Sequence, residues 1–237
     1  GFYTVLRKLK PIVTGDIGCY TLGVLPPLAA LDTCVCMGAS IGNGIGMLPS
    51  RAPDGTRPVV AVIGDSTFIH SGITGLIDAV YNGTPITVCI LDNRTTAMTG
   101  GQEHPASGKT LRGTEAPQLN LPGLVRAVGV EEVLEVDPYD LDAVEKALRY
   151  TTQCGKPAVI ITTRPCVLKR GGARPEVFTV SLEECTGCQL CFRIGCPAIE
   201  SVRGEDGKLK ASINPALCNG CGVCFQVCRS GAIRRRE

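Results

Sequence analysis

The sequence predicts an α/β protein, a parallel β-sheet covered by helices, followed by a small α+β module dense in cysteine. Three observations predict it. Continuous apolar runs alternate with helical patterns from Val59 to Thr162. Of the 14 cysteines, Cys19, Cys34, Cys36, Cys89, Cys154 and Cys166 are scattered, whereas all the others crowd between Cys185 and Cys228. Between these regions lies a polar stretch punctuated by Pro165, Gly171, Gly172 and Pro175, with Lys169, Arg170 and Arg174. The domains are therefore placed at 1–172 and 173–237.

Val59–Ile63 is a β-rich apolar run that stops at Gly64-Asp65. Ile69, Ile73, Leu76, Ile77 and Val80 follow on one face of a helix, ended by Asn82-Gly83. Ile86–Leu91 is the next strand and stops at Asp92-Asn93. A helix over Leu121–Val128, a strand over Glu132–Val136, a helix over Leu141–Tyr150 and a strand over Ala158–Thr162 continue the alternation. Strand–helix–strand repeats with apolar strands make a parallel sheet buried on both faces. Ligands of such sheets bind beyond the carboxyl ends of the strands, where Gly64-Asp65-Ser66 and Asp92-Asn93 fall. The last segment reads as two similar halves, 181–203 and 212–234, joined by Gly204–Lys210, with Ile199 and Ile233 in matching places.

Composition narrows the function. With 237 residues, 44% of them hydrophobic, the chain can bury a core. Twenty-four Lys and Arg against 22 Asp and Glu leave a net charge of +2, so general nucleic-acid binding is not expected. Aromatic content is 4% with no Trp, so base-stacking platforms are scarce. No apolar run reaches the roughly 18–20 residues of a membrane-spanning helix. No signal peptide opens the chain, and a cytoplasmic location is expected. The chain opens at Gly1 rather than Met, which suggests a piece of a longer protein. A hydride-transferring dehydrogenase is not expected, because no Gly-x-Gly-x-x-Gly follows a strand.

Two sites stand out. Cysteines at 185, 188, 191 and 196, then at 218, 221, 224 and 228, form two runs of three at spacing i, i+3, i+6, each with a trailing fourth. Three thiolates on a tight loop hold three corners of a [4Fe–4S] cubane and a distant Cys supplies the last. Zinc usually takes separated pairs or His, and no His lies in this region, while disulfides need an oxidising compartment. The second site is Gly64-Asp65-Ser66 with Asn93, at the ends of two strands joined by one crossover. A carboxylate and a side-chain carbonyl suit Mg²⁺ or Ca²⁺, and such a metal bridges a diphosphate. Gly64 admits the phosphates closely, and the helix start at Ser66 presents N–H groups. A plain helix-entry turn capped by Asp65 or Ser66 reads the same way locally.

The cysteine runs resemble those of two-cluster bacterial ferredoxins. That resemblance implies Cys185, Cys188, Cys191 and Cys228 on one cluster, and Cys218, Cys221, Cys224 and Cys196 on the other. The first run has one residue more than usual before its last Cys, and Cys228-Arg229 lacks the usual Pro. Gly64-Asp65-Ser66, 25 residues, then Asp92-Asn93 resembles the Gly-Asp-Gly…Asn-Asn signature of thiamine diphosphate enzymes, with Ser66 and Asp92 as departures. Asp16–Tyr20, Cys36–Ser40 and Thr95–Gln102 are similar to segments of 2-oxoacid:ferredoxin oxidoreductases. Taken whole, the chain resembles the C-terminal part of the large (alpha) subunit of indolepyruvate ferredoxin oxidoreductases.

The resemblance implies a thiamine-diphosphate-binding fold followed by a ferredoxin-like domain. It implies Mg²⁺ on Asp65, Asn93 and the Thr95 carbonyl, and diphosphate contacts from Gly64 and Ser66. Gly18, Cys19, Gly38, Ala39 and Ser40 would lie near the cofactor's phosphate or ring end, and Thr96, Met98 and Thr99 along its thiazolium. Cys19 and His70 are the catalytic candidates. His70 and His104 are otherwise surface or capping residues by default, and Cys34, Cys89, Cys154 and Cys166 small buried hydrophobes. Arg234–Arg236 reads as a solvated tail, with docking of an acidic ferredoxin as the alternative.

The implied reaction is oxidative decarboxylation of an aryl 2-oxo acid, indolepyruvate-like, with coenzyme A taking the acyl group. Electrons pass through two [4Fe–4S] clusters to an external ferredoxin. Such enzymes also need a pyrimidine-binding domain or chain carrying an activating Glu, for which 237 residues leave no room, and a beta (gamma-type) subunit. Pyruvate or branched-chain 2-oxo acids as substrates, or a non-catalytic electron-transfer subunit, are the rival readings.

Overall fold

The computed structural model describes residues 1–48, 57–169 and 176–236. Its first domain is built on a six-stranded sheet. The chain enters through α1 (Phe2–Leu9), β1 (Ile12–Gly15), β2 (Thr33–Cys34) and α2 (Ala39–Met47). It continues through β3 (Val59–Gly64), α3 (Asp65–Thr67) and α4 (Ile73–Tyr81), the two helices joined without a break by a π-helical turn at Phe68–Gly72. β4 (Thr87–Asp92), α5 (Leu121–Ala127), β5 (Glu132–Val136), α6 (Leu141–Thr151) and β6 (Ala158–Thr163) complete it. The strand order is β2-β1-β3-β4-β6-β5, and every pairing is parallel.

Alternation along each strand divides the core into two layers. Ala61, Ile63, Val88 and Ile90 face the helices α2, α4 and α5, through Ile41, Leu76 and Val125. Val60, Val62 and Cys89 face α1 and α6, through Val5, Leu6, Val144 and Leu148. β3 is buried over its whole length, as a central strand covered on both faces must be.

The strands and helices expected between 59 and 163 are present, within one or two residues of their anticipated bounds. α1, β1, β2 and α2 were not anticipated. β1 and β2 are four and two residues long, too short to show a period. The helix after β3 buries Phe68, Gly72, Leu76 and Ala79; of the expected stripe, Leu76 is fully buried and Ile69, Ile73 and Val80 pack partly buried against the same core, while Ile77 is exposed. β5 is an edge strand that keeps Glu132 and Glu135 on a partly open surface.

The expected boundary at 172/173 lies outside the described residues. Beyond it come β7 (Phe178–Val180), β8 (Ile199–Arg203), β9 (Leu209–Ile213), α7 (Val223–Val227) and β10 (Ile233–Arg235). β8 and β9 form an antiparallel hairpin, and β7 pairs antiparallel with β10. Arg234 and Arg235 thus belong to a strand, paired with Glu184 and Glu176, because ladder hydrogen bonds hold what charge alone would leave solvated. The module's core is small: Phe178, Ala211 and Ile233 with the thiol-bearing Cys191 and Cys224. Among the described residues no helix is long and apolar enough to cross a membrane.

Candidate functional site

β3 and β4 are neighbours in register, Gly64 opposite Leu91, so the loops leaving their carboxyl ends meet. α3 begins at once with Asp65. No side chain caps it; instead Asp65 Oδ1 accepts from the Ser66 amide at 2.9 Å. Gly64 is required here by close approach: a Cβ on it would lie 2.6 Å from Tyr20 Cε1.

A cleft opens at this point. Gly18, Cys19, Gly64, Asp65, Ser66, Asn93, Thr95, Thr96, Met98 and Thr99 all line it. Ile17, Tyr20, Met37, Thr67, Leu91 and Ala97 supply the remaining wall. The mixture of apolar wall with a few convergent polar groups is the usual make-up of a ligand site. The loop after β4 is held shut by its own bonds. The Thr96 amide donates to the Gln102 carbonyl at 3.0 Å, and the Gly101 amide to the Thr96 carbonyl at 3.1 Å. The Thr96 hydroxyl bridges to Ser66 Oγ at 3.1 Å, tying this loop to the helix start.

Asp65 is buried. Its Oδ2 accepts from the Arg94 amide at 3.0 Å and lies 3.1 Å from His104 Nε2. Asp92, also buried, accepts from the same Arg94 amide at 3.1 Å and pairs with the Arg94 guanidinium at 2.9 Å. Burial raises the Asp92 carboxyl pKa, and the hydrogen bond and charge of Asp65 raise it further, against Arg94. Asn93 Oδ1 accepts from the Thr95 amide at 3.1 Å, which leaves that carbonyl a second lone pair. Asp92 is taken up by Arg94, whereas the Asp65 carboxylate and the Asn93 side-chain carbonyl both line the cleft and are oxygen donors of the kind a hard divalent cation takes.

Not every expected residue reaches the cleft. Gly38, Ala39 and Ser40 stand behind its wall, gathered by Asp16. The Gly38 amide donates to Asp16 Oδ1 at 2.8 Å, and the Ser40 hydroxyl to Oδ2 at 2.9 Å. Gly38 has φ +89°, and a Cβ there would meet Ser71 Cβ at 2.5 Å. His70 is exposed on the π turn, with Nδ1 2.5 Å from Ser71 Oγ, and does not line the cleft. Cys19 lines it, yet partial burial and the nearby Cys166 raise its thiol pKa, the reverse of nucleophile activation.

Asp16 is the functional candidate that sequence reasoning passed over, and His104 the one it left as a surface or capping residue by default. His104 caps the Pro105–Ser107 turn as expected, accepting from the Ala106 amide, but it is buried rather than superficial. Asp16 lay inside a segment singled out for its resemblance, and its full burial is the signal that only folding exposes. Cys89 is buried as expected, but Cys34 is exposed, because β2 is a two-residue edge strand, and Cys154 and Cys166 are intermediate.

The second domain presents two further cavities. Cys185, Cys188, Cys191 and Cys228 line one of about 360 Å³. Cys196, Cys218, Cys221 and Cys224 line the other, of about 290 Å³. Each cavity thus draws its fourth cysteine from the other run. Gly187 and Gly220, third in each run, both have φ +71°, which lets the loop curl between the first two cysteines. Among the described residues no three His, Cys, Asp or Glu side chains are grouped to hold a single metal ion. Four thiols spread around a cavity instead fit a polyatomic cluster.

Comparison with known proteins agrees with this geometry. The family described as "Thiamine pyrophosphate enzyme, C-terminal TPP binding domain" matches residues 16–162, and that described as "4Fe-4S binding domain" matches residues 211–234. The chain is 42% identical to the indolepyruvate oxidoreductase subunit IorA of Methanothermobacter thermautotrophicus, over 92% of this chain and 34% of the relative. It is 37% identical to the subunit of the same name from Pyrococcus horikoshii, over 99% of this chain and 38% of that one. The chain therefore spans little more than a third of the length of these relatives. In fold it is similar to a 2-oxoglutarate:ferredoxin oxidoreductase from Magnetococcus marinus, solved with 2-oxoglutarate, coenzyme A and succinyl-CoA bound. That likeness has a TM-score of 0.59 and 14% identity, and covers 70% of this chain and 62% of the other.

Proposed function

The chain belongs to the thiamine pyrophosphate enzyme family, as a C-terminal part of its indolepyruvate ferredoxin oxidoreductase alpha subunits, and from that premise we propose the following division of labour. Residues 1–172 hold thiamine diphosphate and Mg²⁺, and residues 173–237 hold two [4Fe–4S] clusters. The whole enzyme decarboxylates an aryl 2-oxo acid oxidatively to its acyl-CoA and passes the electrons to ferredoxin in the cytoplasm. When bound, these groups supply an electron sink for the loss of CO₂ and carriers that take electrons singly.

The chain's own residues do the rest. Asp65, Asn93 and Thr95 offer oxygens to the cation, and Gly64 and Ser66 give the diphosphate room and N–H groups. Thr96, Met98 and Thr99 form the side of the cleft toward the ring. Ile17, Met37 and Leu91 make part of its wall apolar. The thiols of Cys185, Cys188, Cys191 and Cys228 serve one cluster, and those of Cys196, Cys218, Cys221 and Cys224 the other. A pyrimidine-binding domain or chain with its Glu, and a beta (gamma-type) subunit, complete the enzyme.

One observation carries this reading. A single chain places an oxygen-lined cleft at two strand ends and two separate four-cysteine cavities in the adjoining module. The test is the complex purified without air and assayed for thiamine diphosphate, Mg²⁺ and iron, then offered a panel of 2-oxo acids with ferredoxin. Bound cofactor, about eight iron atoms per chain and preference for the aryl acid are expected. An iron-loaded complex without thiamine diphosphate would leave only an electron relay, and preference for pyruvate or branched acids would reassign the substrate.

A further inference from the structure

His104 is a buried titratable side chain beside Asp65 that the proposed chemistry does not use. Its side chain is 4% exposed and sits at the start of the Pro105–Ser107 turn. Nδ1 accepts from the Ala106 amide at 3.3 Å, so the remaining ring proton resides on Nε2. That nitrogen lies 3.1 Å from Asp65 Oδ2. Its N–H is not in line for a hydrogen bond, however, and it has no other partner. A buried donor with one neighbour and no aligned acceptor is costly unless something completes the bond.

The ring is also firmly mounted. The His104 amide donates to Ser107 Oγ at 3.2 Å, and that hydroxyl donates back to the His104 carbonyl at 2.8 Å. Ala106, fully buried, accepts through its carbonyl from Arg94 Nη1 at 3.2 Å and from Gln118 Nε2 at 2.9 Å. The imidazole is therefore presented to Asp65 from a braced turn. Apart from Asp92, the other groups bonded to the Asp65 carboxylate are the backbone amides of Ser66 and Arg94.

We propose that His104 is a positioning residue for the cation site: its Nε2–H, 3.1 Å from Oδ2 and unaligned in this structure, closes onto the Asp65 carboxylate when a cation draws that carboxylate over, and holds it in the orientation that binds the metal. Carboxylates that ligate metals are themselves held by outer hydrogen bonds, and loss of such a partner weakens metal affinity by about ten- to a hundredfold. The inference rests on the reading of Asp65 as a ligand, and the two are tested separately. The assay titrates Mn²⁺, followed by electron paramagnetic resonance, into the intact metal-free complex saturated with thiamine diphosphate.

Binding by the unaltered complex, about ten- to a hundredfold weaker binding in H104A, and recovery of most of that loss in H104Q, which restores a donor at the same reach, are expected. Unfolding of the metal-free variants serves as the control for a packing effect. No Mn²⁺ bound by the unaltered complex would overturn the reading of Asp65 itself. Normal affinity in H104A, with the unaltered complex binding, would overturn the role of His104 alone. Equal loss in H104A and H104Q would assign His104 to packing instead.

Discussion

Asp65 shows how much a single side chain concentrates. It is buried, takes amide donors from both strand-end loops, and lies against Asp92 and His104. D65A is expected to lower thiamine diphosphate affinity in the presence of Mg²⁺ by at least about a hundredfold, as befits a direct ligand when outer partners already cost that much. Calorimetric titration with and without Mg²⁺ checks it, and an unchanged affinity would remove the metal assignment. Gly64 carries a different load. G64A would drive a methyl group toward the Tyr20 ring, at 2.6 Å, and is expected to cost about 1–3 kcal/mol of stability, read by chemical denaturation. At this scale the placement of Asp65 at a strand end was legible from the sequence, because the residue, its turn and the strand before it are local. The role of His104 was not, because its meaning depends on a residue 39 positions earlier in the numbering.

The stretch from α3 through the π turn to α4 is the element on which the cleft depends. It delivers Asp65 and Ser66 at its start and anchors itself by Phe68, Leu76 and Ala79, all fully buried. L76A removes a large side chain from the layer between this helix and the sheet, and about 2–5 kcal/mol of stability should go with it, measured by denaturant unfolding of the intact complex. The apolar period of this helix was readable, and of its expected line only Ile77 turns to solvent. The N-terminal elements were unreadable. β1 and β2 are too short for a pattern, and they become strands only by pairing beside β3 and β1.

Across the whole molecule the two domains are stabilised by unlike means. The sheet domain has two apolar layers, whereas the cysteine module has a few apolar side chains and thiols. A module with so small a core takes its stability from the metal it binds. Stripping iron with a chelator under air is therefore expected to raise amide hydrogen exchange through 176–236 while β3, β4 and β6 stay protected. Retained protection of the module would refute this dependence. The domains also touch: the Gln226 side chain bonds the Tyr139 carbonyl at 2.7 Å and the Leu141 amide at 3.0 Å, and Arg7 bonds the Arg193 carbonyl at 3.2 Å.

Short-range information in the chain was enough to set the alternation of strands and helices, the two cysteine runs and the loops that bear Asp65 and Asn93. Periodicity, turn residues and ligand spacing all act within a window of a few residues, so they survive in a one-dimensional record. Long-range folding alone placed β1 and β2 beside β3, set Asp16 under Gly38 and Ser40, turned His70 outward and brought His104 onto Asp65. Those outcomes depend on which burial and hydrogen-bond demands can be met together once distant segments share one space.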